Sequence, residues 1–333
     1  MKAALGLSES ATRRVVAAAG QAPSLFNTQP WRFRLAPDRI EIHPDRGRRL
    51  IAHDPDDREL RIACGAALFN LRLALHAHGV TPVVTIQPGE APDALAVIRP
   101  GPVTVQSRDD AALYAMIERR RTNRQPFLDA PMPEAYRRVL TYAAAVEGAD
   151  FRTMVTPAER FELRCLVAAA DQRQRDDVVC RAELEAWAGD RHGHPDGVPL
   201  AAAGPRPESH DLWAYRDLGN GYAHVRPPDG DFEAEPFVVV LSTWMDGPAC
   251  QVEAGQALQR VLLTATALGL SASFLSQPIE VTENRRQLRQ LLPCRLHPQT
   301  VLRLGFSSPV TTSTPRRDPA DLIARTSLSS PGR

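Results

Sequence analysis

Lysine is almost missing from this chain. Lys2 is the only one, so the other 39 of the 40 basic residues in 333 are arginines. Any cation that meets an anion here is therefore a planar guanidinium with a fork of donors. Cysteine is also sparse and scattered. Cys64, Cys165, Cys180, Cys250 and Cys294 include no CxxC pair, which argues against a zinc site or a disulfide framework. The net charge is only +1, so no overall field draws the chain to nucleic acid or to an anionic membrane. There is no apolar run of about 18 residues, and the opening MKAALGLSES has no signal-like apolar core. The expectation is a cytoplasmic protein that spans no membrane.

Other absences narrow the chemistry. No GxGxxG follows a strand, and neither a Walker loop nor a GxSxG elbow occurs. His192, His194 and His210 lie in a loop without cysteines or paired carboxylates at ligand spacing, so no metal is expected. Cys64 reads as a small core residue rather than a nucleophile. Trp187, Trp213 and Trp244 lack the basic interleaving of a nucleic-acid stacking surface.

What is present suits a globular chain long enough for two units. Residues 9–20 predict a short helix, capped by Ser8 or Ser10 and ended by Gly20. RFRL (32–35) and RIEIH (39–43) alternate about a Pro-Asp turn and predict a hairpin. Asp54 to Asp57 open a long helix running to Gly79, apolar most of the way round and so expected at the centre of the molecule. Strands are expected at 80–86 and 95–99.

A second helix repeats the first at a shift of 190 residues. Gly65 falls on Gly255, Leu68 on Leu258, Leu73 on Leu263 and Gly79 on Gly269. Both helices are read as beginning at the first of these glycines, which allows close packing, and ending at the second, in a left-handed C-cap. Strand-like SASFLS and VLRLGF (301–306) follow in the same order as in the first half, which indicates a duplicated unit. Between the repeats, residues 188–236 are rich in proline, glycine and histidine and have no sustained period. Their apolar and aromatic residues speak for a lid rather than a disordered linker.

Three segments carry the chemistry. RRRTNRQPF (119–127) offers several guanidinium groups and a hydroxyl within a few residues, a set suited to a dianionic phosphate. APSLFNTQPW (22–31) lies between a helix and a strand. TPRRDP (314–319) is a second basic turn.

Together these resemble the nitroreductase family. Arg120, Thr122 and Arg124 match its phosphate signature, with one residue more than usual before the aromatic Phe127. Residues 22–31 match its Pro-Ser-x-x-Asn-x-Gln-Pro-Trp loop. The resemblance implies bound flavin mononucleotide (FMN). Arg120, Thr122, Arg124 and either Arg316 or Arg317 would hold the phosphate and ribityl chain. Ser24, Leu25 and Asn27 would reach the ring, with Leu275, Ser276 and Gln277 passing over it. Gln29, Pro30 and Trp31 would shape the turn and fill the core. The cation that many members place beside flavin N1 must be an arginine, with Arg173, Arg175 and Arg181 as possibilities.

The order of the motifs is informative. The first half has a ring loop with no phosphate motif before it, and the second half has the reverse, so one complete site forms across the halves. This resembles the single-chain, Acg-type branch of the family. The fold class expected is α+β, with two tandem nitroreductase-like halves, 1–110 and 111–333, forming an internal pseudo-dimer. The implied activity is NAD(P)H-dependent hydride transfer through flavin N5 to a small nitroaromatic or quinone-like acceptor. The nicotinamide would act as a transient reductant, and the flavin, not a side chain, would carry the redox chemistry. The alternatives are an FMN-storing protein closed by its lid and a dead interaction module that kept only the fold. The chain is expected to be a monomer or to dimerise further, with no nucleic-acid or membrane partner.

Overall fold

The structure is a computed structural model that describes residues 3–189, 193–219, 221–222, 226, 230–308 and 312–324. Helix α1 spans Glu9–Gly20; the Ser8 side chain accepts from the Ala11 N–H and caps it. Its apolar positions Val15, Val16 and Ala19 are fully buried. Strands β1 (Trp31–Leu35) and β2 (Ile40–Pro44) form the expected hairpin, Trp31 opposite Pro44 and Leu35 opposite Ile40. Helix α2 (Arg58–Ala77) follows. Asp54 caps it at a distance, its two carboxylate oxygens accepting from the Glu59 and Leu60 N–H groups at 3.1 and 2.9 Å. Strands β3 (Pro82–Ile86) and β4 (Ala96–Pro100) complete a four-stranded antiparallel sheet of order β1-β2-β4-β3.

Helix α3 (Arg108–Met116) then leads through a loop to α4 (Glu134–Val146) and β5 (Asp150–Thr153). Three helices follow: α5 (Pro157–Asp176), α6 (Val178–Trp187) and the single turn α7 (Leu200–Ala203). The chain re-enters the repeat at β6 (Phe237–Thr243), α8 (Pro248–Ala267) and β7 (Ser271–Phe274). Short α9 (Gln277–Glu280) and α10 (Thr282–Leu291) precede β8 (His297–Gly305). The second sheet has the order β5-β6-β8-β7. Adding four to every strand number of the first sheet gives the second. The two halves thus share one topology, an α+β architecture built twice.

Helices α2 and α8 are the hinge of that symmetry. Both their starts and their ends lie 190 residues apart. Gly65 and Gly255 do not begin them; each is the eighth residue of its helix, at the point where the two cross. A Cβ on Gly65 would stand 2.1 Å from the Val252 carbonyl oxygen, and one on Gly255 would stand 2.0 Å from that of Ile62. Glycine is required there for backbone contact, not for a helix start. Arg61 donates to Gln251, again a residue 190 positions away, at 2.6 Å. A position that touches its own counterpart is the mark of a two-fold interface, here drawn within one chain. Gly79 and Gly269 do take left-handed backbone, at φ +82° and +74°, and close the two helices.

Among the described residues α2 is the one helix long and apolar enough to cross a membrane, yet 78% of its apolar window is packed inside the protein. One core lies under the first sheet (Trp31, Phe33, Ile40, Leu68, Leu71) and another under the second (Leu140, Val239, Leu241, Val261, Leu302). A third gathers Leu163, Val167, Trp213, Val238 and Leu288. Residues 154–236 occupy the place that the turn 36–39 fills in the first half. The departure from the repeat therefore begins well before residue 188, with the Thr156–Glu159 capping box that starts α5.

Candidate functional site

The ring loop is held in an unusual backbone conformation. Phe26, Asn27 and Gln29 all have positive φ, between 49° and 56°. Non-glycine residues adopt this only when their surroundings over-determine it. The restraints are visible. The Gln29 N–H donates to Ser24 Oγ at 2.9 Å. Asn27 Nδ2 donates to the Gly197 and Pro315 carbonyls, both at 3.0 Å, and its Oδ1 accepts from Arg316 at 2.9 Å. Gln29 Nε2 donates to the Pro195 carbonyl, and its Oε1 accepts from the Arg317 N–H. The Asn27 amide, expected to reach outward to a ligand, thus ties three segments together. Trp31 is fully buried behind the loop.

The basic segment 119–124 meets this loop from the second half. Asn123 fixes it to β7: its N–H donates to the Ala272 carbonyl, and its side chain donates to Ser271 and Ser307. Thr122 bridges to Ala272. Arg120, only 3% exposed, donates from Nη2 to the Gln21 carbonyl, while its Nε and Nη1 are buried with no partner among the described residues. Arg316 approaches the same Gln21 carbonyl, and its Nε is also buried with no partner among the described residues. Arg124 donates to the Ala202 carbonyl and packs against Gly204, where a Cβ would come within 2.7 Å of the Arg124 carbonyl oxygen.

No carboxylate among the described residues lies within ion-pair distance of Arg120, Arg124 or Arg316. Burial, and then repulsion from Arg316, Arg121 and Arg124, pushes Arg120 down to about 9. Burial and Arg216 bring Arg124 to about 10; burial with Arg121 and Arg124 does the same to Arg316. Buried charge without a counter-ion is costly, and among the described residues these guanidinium groups are left without one.

These groups border one cavity with about 1080 Å³ of empty space, counted to its open mouth. Ser24, Leu25, Asn27, Arg120, Thr122, Arg124, Ser276, Gln277 and Arg316 all line it, together with residues of both halves such as Ile62, Ala63 and Leu258. Two expected residues do not. Leu275 is 1% exposed, its N–H pairs with the Val301 carbonyl, and its side chain joins the third core. Arg317 turns the other way, donating to the Gln29 and Asp321 carbonyls and lying 3.7 Å from Asp45. Arg173, Arg175 and Arg181 are exposed and do not line the cavity.

The arginines that do reach the cavity besides the motif residues are Arg216 and Arg303. Arg216 pairs with buried Glu280 at 2.6 Å and stacks over Phe26 at 5.1 Å. Arg303 is fully buried in β8, paired with Glu233 at 3.0 Å and flanked by Phe127, Tyr215 and Phe232. A charged residue breaking an apolar strand, as in VLRLGF, is the signal that marks Arg303. Glu59 also lines the cavity, and no local pattern marks it. Ala203, Pro205, Tyr215, Leu218 and Phe232 bring the insertion over the same space. No group of three or more metal-ligating side chains occurs among the described residues; the expectation about His192 lies outside them.

No family model matches the chain. It is 33% identical over 320 residues to a Mycobacterium tuberculosis protein named "Putative NAD(P)H nitroreductase Rv3131", covering 93% of this chain and 90% of that one. The chain belongs to the nitroreductase family. Within it, the chain is 29% identical over 312 residues to the Acg protein of the same bacterium, covering 92% of each. Among solved structures, a nitroreductase-titled protein from Anabaena variabilis is similar at a TM-score of 0.48 and 10% identity, over 91% of this chain and 90% of that one.

Proposed function

We propose that the cavity binds FMN and that the chain is an FMN-dependent oxidoreductase, passing reducing equivalents from NAD(P)H to a small nitroaromatic or quinone-like acceptor. The observation that carries this reading is the cluster of buried, unneutralised guanidinium groups of Arg120 and Arg316, with orphaned donors. A phosphate monoester dianion supplies the missing acceptors and charge. Thr122 adds a hydroxyl, and Arg124 with Arg216 forms a second cationic end. Ser24, Leu25, Ser276 and Gln277 line the remaining wall, where a flat ring is to be held. When bound, the flavin accepts and returns a hydride at N5; the side chains bind, orient and exclude water. The halves are taken as 1–110 and 111–333, each giving part of the site.

A second reading, FMN storage, has one observation in its favour: the insertion packs across the cavity through Tyr215, Arg216, Leu218 and Phe232. Stopped-flow mixing with NADPH or NADH separates the two. Prompt bleaching of the intact protein supports the reductase. Bleaching only after deletion of residues 190–232 supports storage. The binding claim has its own test. Arg120→Ala with Arg124→Ala should yield folded, colourless protein, and retention of stoichiometric flavin would overturn the phosphate assignment.

A further inference from the structure

Glu59 is the one described residue that lines both the large cavity and a smaller one beside it. The smaller holds about 200 Å³ of empty space and is walled by His53, Asp54, Asp56, Arg58, Glu280 and Arg285, with Pro55 and Ile279. Its outer end reaches solvent, since the Asp56 side chain is 63% exposed. Among the described residues, Glu59 is the only carboxylic acid on the wall of the large cavity. Its Oε1 is buried and has no hydrogen-bond partner among the described residues.

Reducing a quinone by two electrons adds two hydrogens. A hydride carries both electrons and one hydrogen, so one proton must come from elsewhere. Arg120, Arg124 and Arg316, though lowered to about 9 and 10, still hold their protons more tightly than Glu59 and face the anion they would bind, and burial pushes the Tyr215 hydroxyl up to about 12. We propose that Glu59 is the proton donor of the cavity, recharged from solvent through the small polar pocket. The step rests on the redox reading above. With reduced cofactor bound, the hydride would come from it, leaving it oxidised, and the proton from Glu59, so that the quinone would leave as hydroquinone. The Glu59 carboxylate would then take a new proton from water. Burial first, then Asp54 and Glu280, pushes the Glu59 carboxyl up to about 8, against Arg58 and Arg285. It therefore carries a proton at neutral pH.

Two measurements test this. In cofactor-free protein, infrared titration with labelled glutamate should show a protonated-acid carbonyl band that fades near pH 8 and is absent from Glu59→Gln. An ionised Glu59 at pH 6 overturns the proposal whether or not flavin binds. In FMN-loaded protein reduced with dithionite, re-oxidation is followed with benzoquinone and with ferricyanide, which takes one electron and no proton. Glu59→Gln should slow the quinone reaction about 100-fold and flatten its pH profile, leaving the ferricyanide rate unchanged. Glu59→Asp, still an acid, should restore part of the quinone rate. An unaltered quinone rate, or equal slowing with both acceptors, overturns the donor role. A protein that takes up no flavin overturns the redox reading and the donor step with it, and the infrared arm still reports whether the proton is there.

Discussion

At the scale of the residue, the site is a balance of unpaid electrostatics. Among the described residues, Arg120, Arg124 and Arg316 have no carboxylate within ion-pair distance, and the buried Oε1 of Glu59 has no donor. The second has a measurable consequence for stability. The folded Glu59 carboxyl is raised to about 8 from an ordinary value of 4.5. What it contributes is fully present below the unfolded value and is lost as pH rises through the folded one. Glu59→Gln carries no such charge. Its stability relative to the native chain should therefore climb between about pH 4.5 and 8 and level off above. Urea unfolding at pH 5 and pH 9 reads this, and a difference that shrinks with pH would contradict the burial of Glu59. The motifs located Arg120, Thr122 and Arg124 because their spacing is local. They did not resolve neighbours: Leu275 and Arg317 each lie one position from a cavity residue and face away from it. Glu59, Arg216 and Arg303 reach the cavity through tertiary packing alone, which no short pattern encodes.

At the scale of the element, the crossing of α2 and α8 is the contact on which the fold turns. Gly65→Ala and Gly255→Ala should each cost about 3 kcal/mol, because the new Cβ would meet backbone oxygen, which cannot rotate aside as a side chain can. Denaturant melts of the two variants check this, and losses no larger than that of an exposed Gly→Ala change would rule it out. The repeat of glycines and their close packing were visible in the sequence, yet the glycines were also read as helix starts. The opening of α2 at Asp54 to Asp57 was legible, Asp54 capping it with its side chain from outside the helix, whereas Pro248, which opens α8 seven residues before Gly255, was missed. Helices α5 and α6 were not foreseen, because the buried positions of α5 (Leu163, Val167, Ala170, Asp171, Gln174) form a narrow and partly polar stripe. The hairpin, α1 and both strand pairs were legible, since each carried a clear period or turn.

At the scale of the whole molecule, one cavity draws its walls from both halves. The chain should therefore bind one FMN, and absorbance against protein concentration, with mass spectrometry of the native complex, should give a ratio of one. Two flavins per chain would mean that the opposite side keeps a working site. The order of motifs pointed to this asymmetry, because each half carried what the other lacked. The insertion was read as a lid from its apolar and aromatic residues; which of them reach the cavity was not legible, as they have no period and their placement depends on partners such as Asn27 and Arg303.

The contact between Gly65 and Gly255 frees the chain from a constraint that binds any pair of identical subunits. A mutation at the axis of such a pair strikes twice; here it strikes once. Counterpart positions have accordingly drifted apart. Asp54 is a buried cap beside the cavity, whereas 190 residues on Trp244 stands 71% exposed, and Glu59 is matched by Ala249. Fusion lets one flank specialise in chemistry while the other is released to become scaffold.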